Sequence, residues 1–364
     1  MIYQNWYLRL LCWEYRILKA LDGIKGKDAK IDMSSYVNIY REIWKDAAQR
    51  MSADFSELSE GIWKICHNDR MTIINNYKTQ IDDPVVLNLA GNKPLCYRLM
   101  IEEGLPVPEH QVYHLSELYR AKQFMQRFKG EFFVVKPANG TSAGRGVTTH
   151  ISSFKECCKA SILASLYSDE IIIERLISGE CYRLLILNGQ MIHASRRRGI
   201  RVKGDGKSTL SQLIEGENIR RKESVGNGLL RPIRLDRDLN ATVKTQGLSI
   251  ESIPNLGQDV LVKSFDNPYR KNVEVCTFYD ESVAKLICRD ICSVATRAAG
   301  IICSKLAGID VITVDPAVPL EKSGGVISEI NTTPGLHNHY HLLNEEDPPP
   351  AVHVLNYLLK MSNE

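Results

Sequence analysis

The chain has 364 residues, 44% hydrophobic and 24% charged, an ordinary globular composition that excludes disorder as the default state. Its 46 Lys and Arg against 43 Asp and Glu leave a formal charge of +3, so no global field draws it to nucleic acid and any anion must be held by local groups. Ten scattered cysteines without a CxxC argue against a disulfide framework or a zinc site and fit reduced thiols in a cytoplasmic protein.

Helical periodicity is expected over residues 6–21 and 35–51, followed by a strand-like pair over 61–77. The oily start is interrupted by Arg9, Glu14 and Arg16, which leaves too short an apolar run for a signal or membrane helix, so an amphipathic surface or docking helix is expected and no membrane partner. Residues 1–88 thus read as a small, mostly helical N-terminal domain without visible chemistry. Strands and helices alternate in the second unit, 89–364: a buried strand over 131–136, a helix over 153–166, a strand over 170–175. Strands over 182–187 and 190–194 are joined by Asn188-Gly189, the dipeptide of a two-residue type I′ turn, and should be antiparallel. Helices follow over 208–221 and 281–299, then strands over 309–314 and 325–330, the last running into Asn331-Thr332-Thr333-Pro334-Gly335. The fold class is α+β with α/β elements.

Two constellations carry chemistry. Residues 134–147 join a buried strand, Lys136 at its end, and a loop with Asn139, Gly140, Thr141, Ser142, Gly144 and Gly146, whose glycines let main-chain N–H groups approach phosphate oxygens. The spacing is neither GxGxxG nor a P-loop, so a surface hairpin is the competing reading. Asp310, Glu329 and Asn331 can share one face of two neighbouring strands, because positions i and i+2 point the same way, and three hard oxygen donors suit Mg. A polar strand end facing solvent is the alternative. Glu174 and Glu180, at strand ends, can accept from ribose hydroxyls or face adenine, or are solvated charges.

In this order the motifs resemble the ATP-grasp superfamily, and within it the ATP-grasp region of the cyanophycin synthetases. The likeness rests on Asn88-Leu89-Ala90-Gly91-Asn92-Lys93, Gly104-Leu105-Pro106-Val107-Pro108, the lysine and glycine loop, Glu174 through Arg183-Leu184-Leu185, Gly204-Asp205-Gly206, Gly308-Ile309-Asp310 and Glu329-Ile330-Asn331-Thr332-Thr333-Pro334-Gly335. It implies an ATP-grasp fold with a lid subdomain over about 126–190, and a ligase joining a carboxylate (an amino acid, peptide or related acid) to an amine through an acyl phosphate, with ATP and Mg as cofactors. It implies Lys93 and Lys136 on the ATP phosphates, residues 139–146 closing over the γ-phosphate, Glu174 and Glu180 on the nucleoside, and Asp310, Glu329 and Asn331 on the metal. Arg183 and Arg196, with Lys136, become the catalytic cations near the transferring phosphoryl group. Homo-oligomers are common among the resembling enzymes.

The cyanophycin synthetases carry a further Mur-ligase-like domain, and with the chain ending at Glu364 a single ligation centre and a smaller or peptide-like acid are expected. Gly206-Lys207-Ser208 is not a Walker A motif, because the required first glycine falls on Arg201. The basic run 196–222 lacks interleaved aromatics and reads as an anionic-substrate pocket rather than a nucleic-acid patch. His337, His339 and His341 alternate, and would share a face in an extended segment, as solvated or substrate-contacting groups more readily than metal ligands. A kinase-like or nucleotide-binding regulatory protein of the same fold is the competing function class.

Overall fold

The computed structural model describes residues 33–139, 146–223, 232–263, 279–340 and 348–361, together with Trp13. The expected helix over 6–21 lies outside them apart from Trp13, which is helical, and so do Gly140, Thr141, Ser142 and Gly144 of the glycine loop and His341. Helix α1 (Met33–Arg50) is followed by strands β1 (Asp54–Ser59), β2 (Ile62–His67) and β3 (Arg70–Asn75), a three-stranded antiparallel meander where the sequence suggested a pair. β1 is polar and mostly exposed, so no apolar alternation announces it.

Helices α2 (Pro84–Ala90) and α3 (Lys93–Glu102) come next, each opened by a side-chain cap: Asp83 accepts from the N–H groups of Val85 and Val86, and Asn92 from that of Leu95. Pro84 and Pro94 sit in the first turns, where no N–H is needed. Then β4 (His110–His114), α4 (Leu118–Arg127), β5 (Phe133–Pro137), β6 (Thr148–Ile151), α5 (Phe154–Ser165) and β7 (Glu170–Arg175) build a four-stranded antiparallel sheet in the order β4-β7-β5-β6. Phe124, Phe133, Val135, Cys157, Ile171 and Ile173 form its core under the two helices.

β8 (Glu180–Leu187) and β9 (Gln190–Arg197) are the expected hairpin, with Asn188 at φ 45° and Gly189 at φ 77°, the left-handed pair a type I′ turn demands. β10 (Ile200–Lys203), α6 (Leu210–Glu223), α7 (Arg237–Lys244) and β11 (Asp259–Lys263) enclose a separate core around Val202, Leu210, Leu239 and Val260. β12 (Tyr279–Ser282), α8 (Arg289–Ile301), β13 (Leu306–Thr313), α9 (Leu320–Ser323), β14 (Val326–Thr332), α10 (His337–Tyr340) and α11 (Pro350–Met361) complete the chain. The helix expected over 281–299 starts eight residues later, at Arg289, and residues before it pair with β9 as an edge strand.

The central sheet runs β12-β9-β8-β13-β14, antiparallel throughout. Alternation divides its faces. Tyr182, Leu184, Ile186, Ala307, Ile309 and Val311 pack against α2, α3 and α8. Leu185, Leu187 and Leu306 on the other face share a core with Tyr40, Trp44, Trp63, Ile74, Val354 and Leu355 from α1, the meander and α11. Each such large side chain withdrawn from water contributes about 1.5 to 3 kcal/mol. That apolar face changes character along the strands, since Arg183 and Asp310 continue the rows begun by Leu185 and Leu306.

Candidate functional site

The site begins where the apolar half of that face ends. β13 and β14 set Asp310 opposite Glu329 and Gly308 opposite Asn331, so all three proposed ligand residues share one face. β8 sets Arg183 opposite Asp310 on the other side. The guanidinium donates through Nε to Asp310 Oδ1 at 2.7 Å and through Nη2 to Oδ2 at 2.6 Å, a fork that matches a carboxylate. Arg197 donates Nη1 to Oδ2 at 2.8 Å. Gly308 permits this closeness, because a β-carbon there would press on Arg183 Cδ at 3.4 Å and Pro334 Cβ at 3.3 Å. Burial disfavours the charge on Asp310, but Arg183 and Arg197 outweigh it and hold its carboxyl below the usual range.

Arg196 is placed elsewhere. It donates to Glu180 Oε2 at 3.0 Å, where Arg198 also lies at 3.4 Å from Oε1. The cause is a bulge. Ile186 pairs with Met191 but Leu185 with His193, so one extra residue enters β9 and every later position turns over. An unbroken hairpin from the Asn188-Gly189 turn would set Arg196 opposite Cys181, on the Arg183 side; the bulge sets Arg197 there and pairs Arg196 with Tyr182.

The second half of the site comes from β5, β7 and α3. Lys136 Nζ lies 2.8 Å from Glu174 Oε2 and donates to Tyr97 Oη at 2.9 Å, all three side chains being buried. The Tyr97 hydroxyl lies 2.8 Å from the main-chain oxygen of Ser328 on β14 and 3.1 Å from Glu174 Oε2, and its single proton serves one of them at a time. Burial opposes the charge of Lys136, but Glu174 and Tyr97 more than offset it and its affinity for the proton rises above the ordinary lysine range. Lys93 opens α3 one turn before Tyr97, on the same helix face, and reaches Glu329 Oε1 at 3.3 Å. Sequence reasoning passed over Tyr97, whose signal is its i+4 spacing from Lys93.

The start of the glycine loop is tied to α3: Lys93 N–H donates to Ala138 O at 3.2 Å, Asn92 and Asn139 form a β-bridge, and Asn139 Nδ2 donates to Glu170 Oε2 at 3.1 Å. Gly146 resumes the described chain at φ 73°, where a β-carbon would meet Pro137 Cγ and Tyr167 Cδ2 at 2.8 Å. His337 and His339 enter the short helix α10 rather than an extended segment; Tyr40 Oη meets His337 Nδ1 at 2.7 Å, and His339 Nδ1 meets His193 Nδ1 at 2.8 Å.

The donor set fits a hard cation that retains water and phosphate ligands. Asn331 turns its amide nitrogen to Gly308 O at 3.3 Å and Asp310 Oδ2 at 3.5 Å, which leaves the amide oxygen facing away from them. Glu329 meets Lys93 alone among the described residues and is the more open carboxylate; Asp310 already accepts three N–H bonds from Arg183 and Arg197 as well as the Asn331 contact. Among the described residues no three His, Cys, Asp or Glu are grouped so as to hold a metal ion by themselves.

No family model matches the sequence. The chain is 28% identical over 339 residues to a cyanophycin synthetase of Trichormus variabilis, covering 86% of this chain and 36% of that protein. It is 32% identical over 259 residues to a cyanophycin synthetase of Crocosphaera subtropica (70% and 29%) and 26% identical over 326 residues to a glutathione biosynthesis bifunctional protein GshAB of Listeria welshimeri (87% and 40%). It thus spans well under half the length of these relatives. A bifunctional glutathione synthetase from Pasteurella multocida superposes with a TM-score of 0.59 at 19% identity, over 84% of this chain and 41% of that one. The chain is an ATP-grasp protein. The α+β class is that of the ATP-grasp fold, as the resemblance implied.

Proposed function

We propose that this protein joins a carboxylate to an amine with ATP, through an acyl phosphate, releasing ADP and phosphate. One observation carries the reading: Tyr97 bridges a buried Lys136–Glu174 pair on one sheet to β14 of the other, which pairs with the Asp310 strand, so a phosphate-neutralising lysine and hard oxygen donors are tied together through one side chain. Phosphoryl transfer asks chiefly for positioning and charge neutralisation, and no nucleophile of the protein's own is needed. Lys93 and Lys136 lie on the ATP phosphates, Glu174 and Glu180 with Asn139 and the glycine loop on the nucleotide, and Asp310, Glu329 and Asn331 hold Mg. Mg, when bound, offsets the phosphate charge that opposes attack by a carboxylate. Arg183 faces the transferring group in this reading, and Arg197, which shares Asp310 with it, takes the part expected of Arg196, whose guanidinium lies with Glu180 instead.

The division into residues 1–88, an ATP-grasp unit over 89–364 and a lid over about 126–190 is part of the same proposal. The relatives' names, cyanophycin synthetase and glutathione biosynthesis protein, support amino-acid or peptide substrates. The basic run 196–222 is largely paired with carboxylates, Arg201 with Asp259 and Arg220 and Arg221 with Glu217, which favours small anions over nucleic acid. The cysteines of the described residues are free thiols, which favours a reducing compartment such as the cytoplasm; no described helix is long and apolar enough to cross a membrane. The test is a matrix of acids and amines scored by phosphate release and product mass. Phosphate release that needs both partners, with an amide product, is expected. A stable phosphorylated product formed without amine would instead make it a kinase.

A further inference from the structure

A cavity of about 290 Å³ opens between the β9–β12 edge of the central sheet and the start of α11. Its polar lining is His193 on β9, Ser282 on β12, Lys285 in the turn that follows, and His353 on α11; Ile192 and Leu286 supply apolar wall. No described residue lining it is acidic. His193 is buried and its ring is fixed, with Nδ1 2.8 Å from Nδ1 of the fully buried His339 and Nε2 3.5 Å from Ser282 Oγ. When His339 donates in the Nδ1 contact, the proton of neutral His193 must sit on Nε2, the nitrogen turned toward Ser282 and the cavity. An N–H, a hydroxyl, an ammonium and a second imidazole then converge on a space whose described lining offers no charged acceptor. That is the complement of a carboxylate and repels a metal cation. The volume lies at the small end of ligand sites, near amino-acid size.

We propose that this cavity binds the carboxylate of an amino acid or short peptide. Arg197, the Asp310 partner, lies four residues along β9 from His193, about 13 Å at strand rise, so a single amino acid held here cannot reach that centre. The carboxylate belongs either to a free amino acid acting as effector, or to the far end of a peptide substrate some four residues long; the second source rests on the ligase reading above.

The test reads binding without turnover, so its failure is separable from failure of that reading. Protein labelled in its histidine rings is titrated with acetate, glycine, tetraglycine and inorganic phosphate, in wild type and in Lys285→Glu and His353→Ala, whose side chains lie at the rim. Saturable shifts of the His193 and His353 resonances with all three carboxylates are expected, weakened roughly tenfold by Lys285→Glu. No shift by about 50 mM acetate or glycine, far above a millimolar dissociation constant, overturns the site. So does equal affinity in both variants, or a response to phosphate alone. A lower KM for tetraglycine than for glycine that Lys285→Glu abolishes marks the substrate's end; a change in turnover of other acceptors on adding free glycine marks an effector.

Discussion

Arg183 and Asp310 stand opposite each other on adjacent antiparallel strands and close a two-point ion pair at 2.6 and 2.7 Å, with side chains only 12% and 3% exposed. Removing one partner of such a pair strands the other charges without water. Asp310→Asn should cost about 3 to 5 kcal/mol of stability, read as a lower urea midpoint, as well as turnover. Because the folded pKa of Asp310 is depressed, its stabilisation is present above the unfolded value of about 3.9 and is lost as pH falls through the folded one. The acid-side fall of melting temperature should therefore be shallower in Asp310→Asn than in wild type. An unchanged pH profile would mean that the pair does not control acid stability.

Lys136→Met should weaken ATP binding by roughly tenfold or more and also destabilise the protein, since it leaves Glu174 buried without its cation. Lys136→Met combined with Glu174→Gln should regain much of the stability and none of the affinity. Calorimetry with ATP, beside thermal melts of the singles and the double, separates the two effects. Unchanged nucleotide affinity would make Lys136 a purely structural lysine.

Gly179 has φ 125° and packs on the end of β13, where a β-carbon would lie 2.3 Å from the carbonyl carbon of Thr313. Gly104 also has positive φ, 70°, but nothing within 4 Å of its β-carbon position. Gly104→Ala should cost about 1 to 2 kcal/mol from backbone conformation alone, and Gly179→Ala more, because the strand end must also move. Equal denaturation midpoints would contradict the close approach.

Thiol labelling should follow burial. Burial pushes the Cys96 thiol up to about 11, and burial with the nearby Asp310 carboxylate pushes Cys181 up to about 12, whereas Cys303 is exposed. Brief iodoacetamide treatment near neutral pH, read by peptide mass, should modify Cys303 before Cys96 or Cys181. Early labelling of Cys181 would mean that the Asp310 face opens readily to solvent.

The β8–β9 hairpin was legible because Asn-Gly is a local signal of a turn that needs two left-handed residues. The buried strands over Phe133–Pro137 and Glu170–Arg175 were legible as short apolar runs. The start of α8 was not: Val283, Ile287, Ile291 and Ala295 keep helical spacing across the break, and only the long-range pairing of Ser282 with Ser195 makes an edge strand of the first part. The side of Arg196 was hidden for another reason. Three consecutive arginines look alike, and the bulge near Ile192 that decides among them leaves no compositional mark. β1 was hidden because it buries almost nothing.

The core beneath Leu185 and Leu306 draws side chains from Ile39 through Leu359, so its first and last members are separated by nearly the whole described sequence. During synthesis, α1 and the meander leave the ribosome with their apolar faces uncovered, and α11, which packs on both, arrives last. Loop-closure entropy must be met before those contacts form, which makes this layer slow to assemble. The four-stranded sheet, whose core residues all fall between Tyr113 and Ile173, can close while that layer still waits. Nascent chains stalled before α11 should consequently be protease-resistant in the four-stranded unit and depend on chaperones at Tyr40, Trp44 and Trp63.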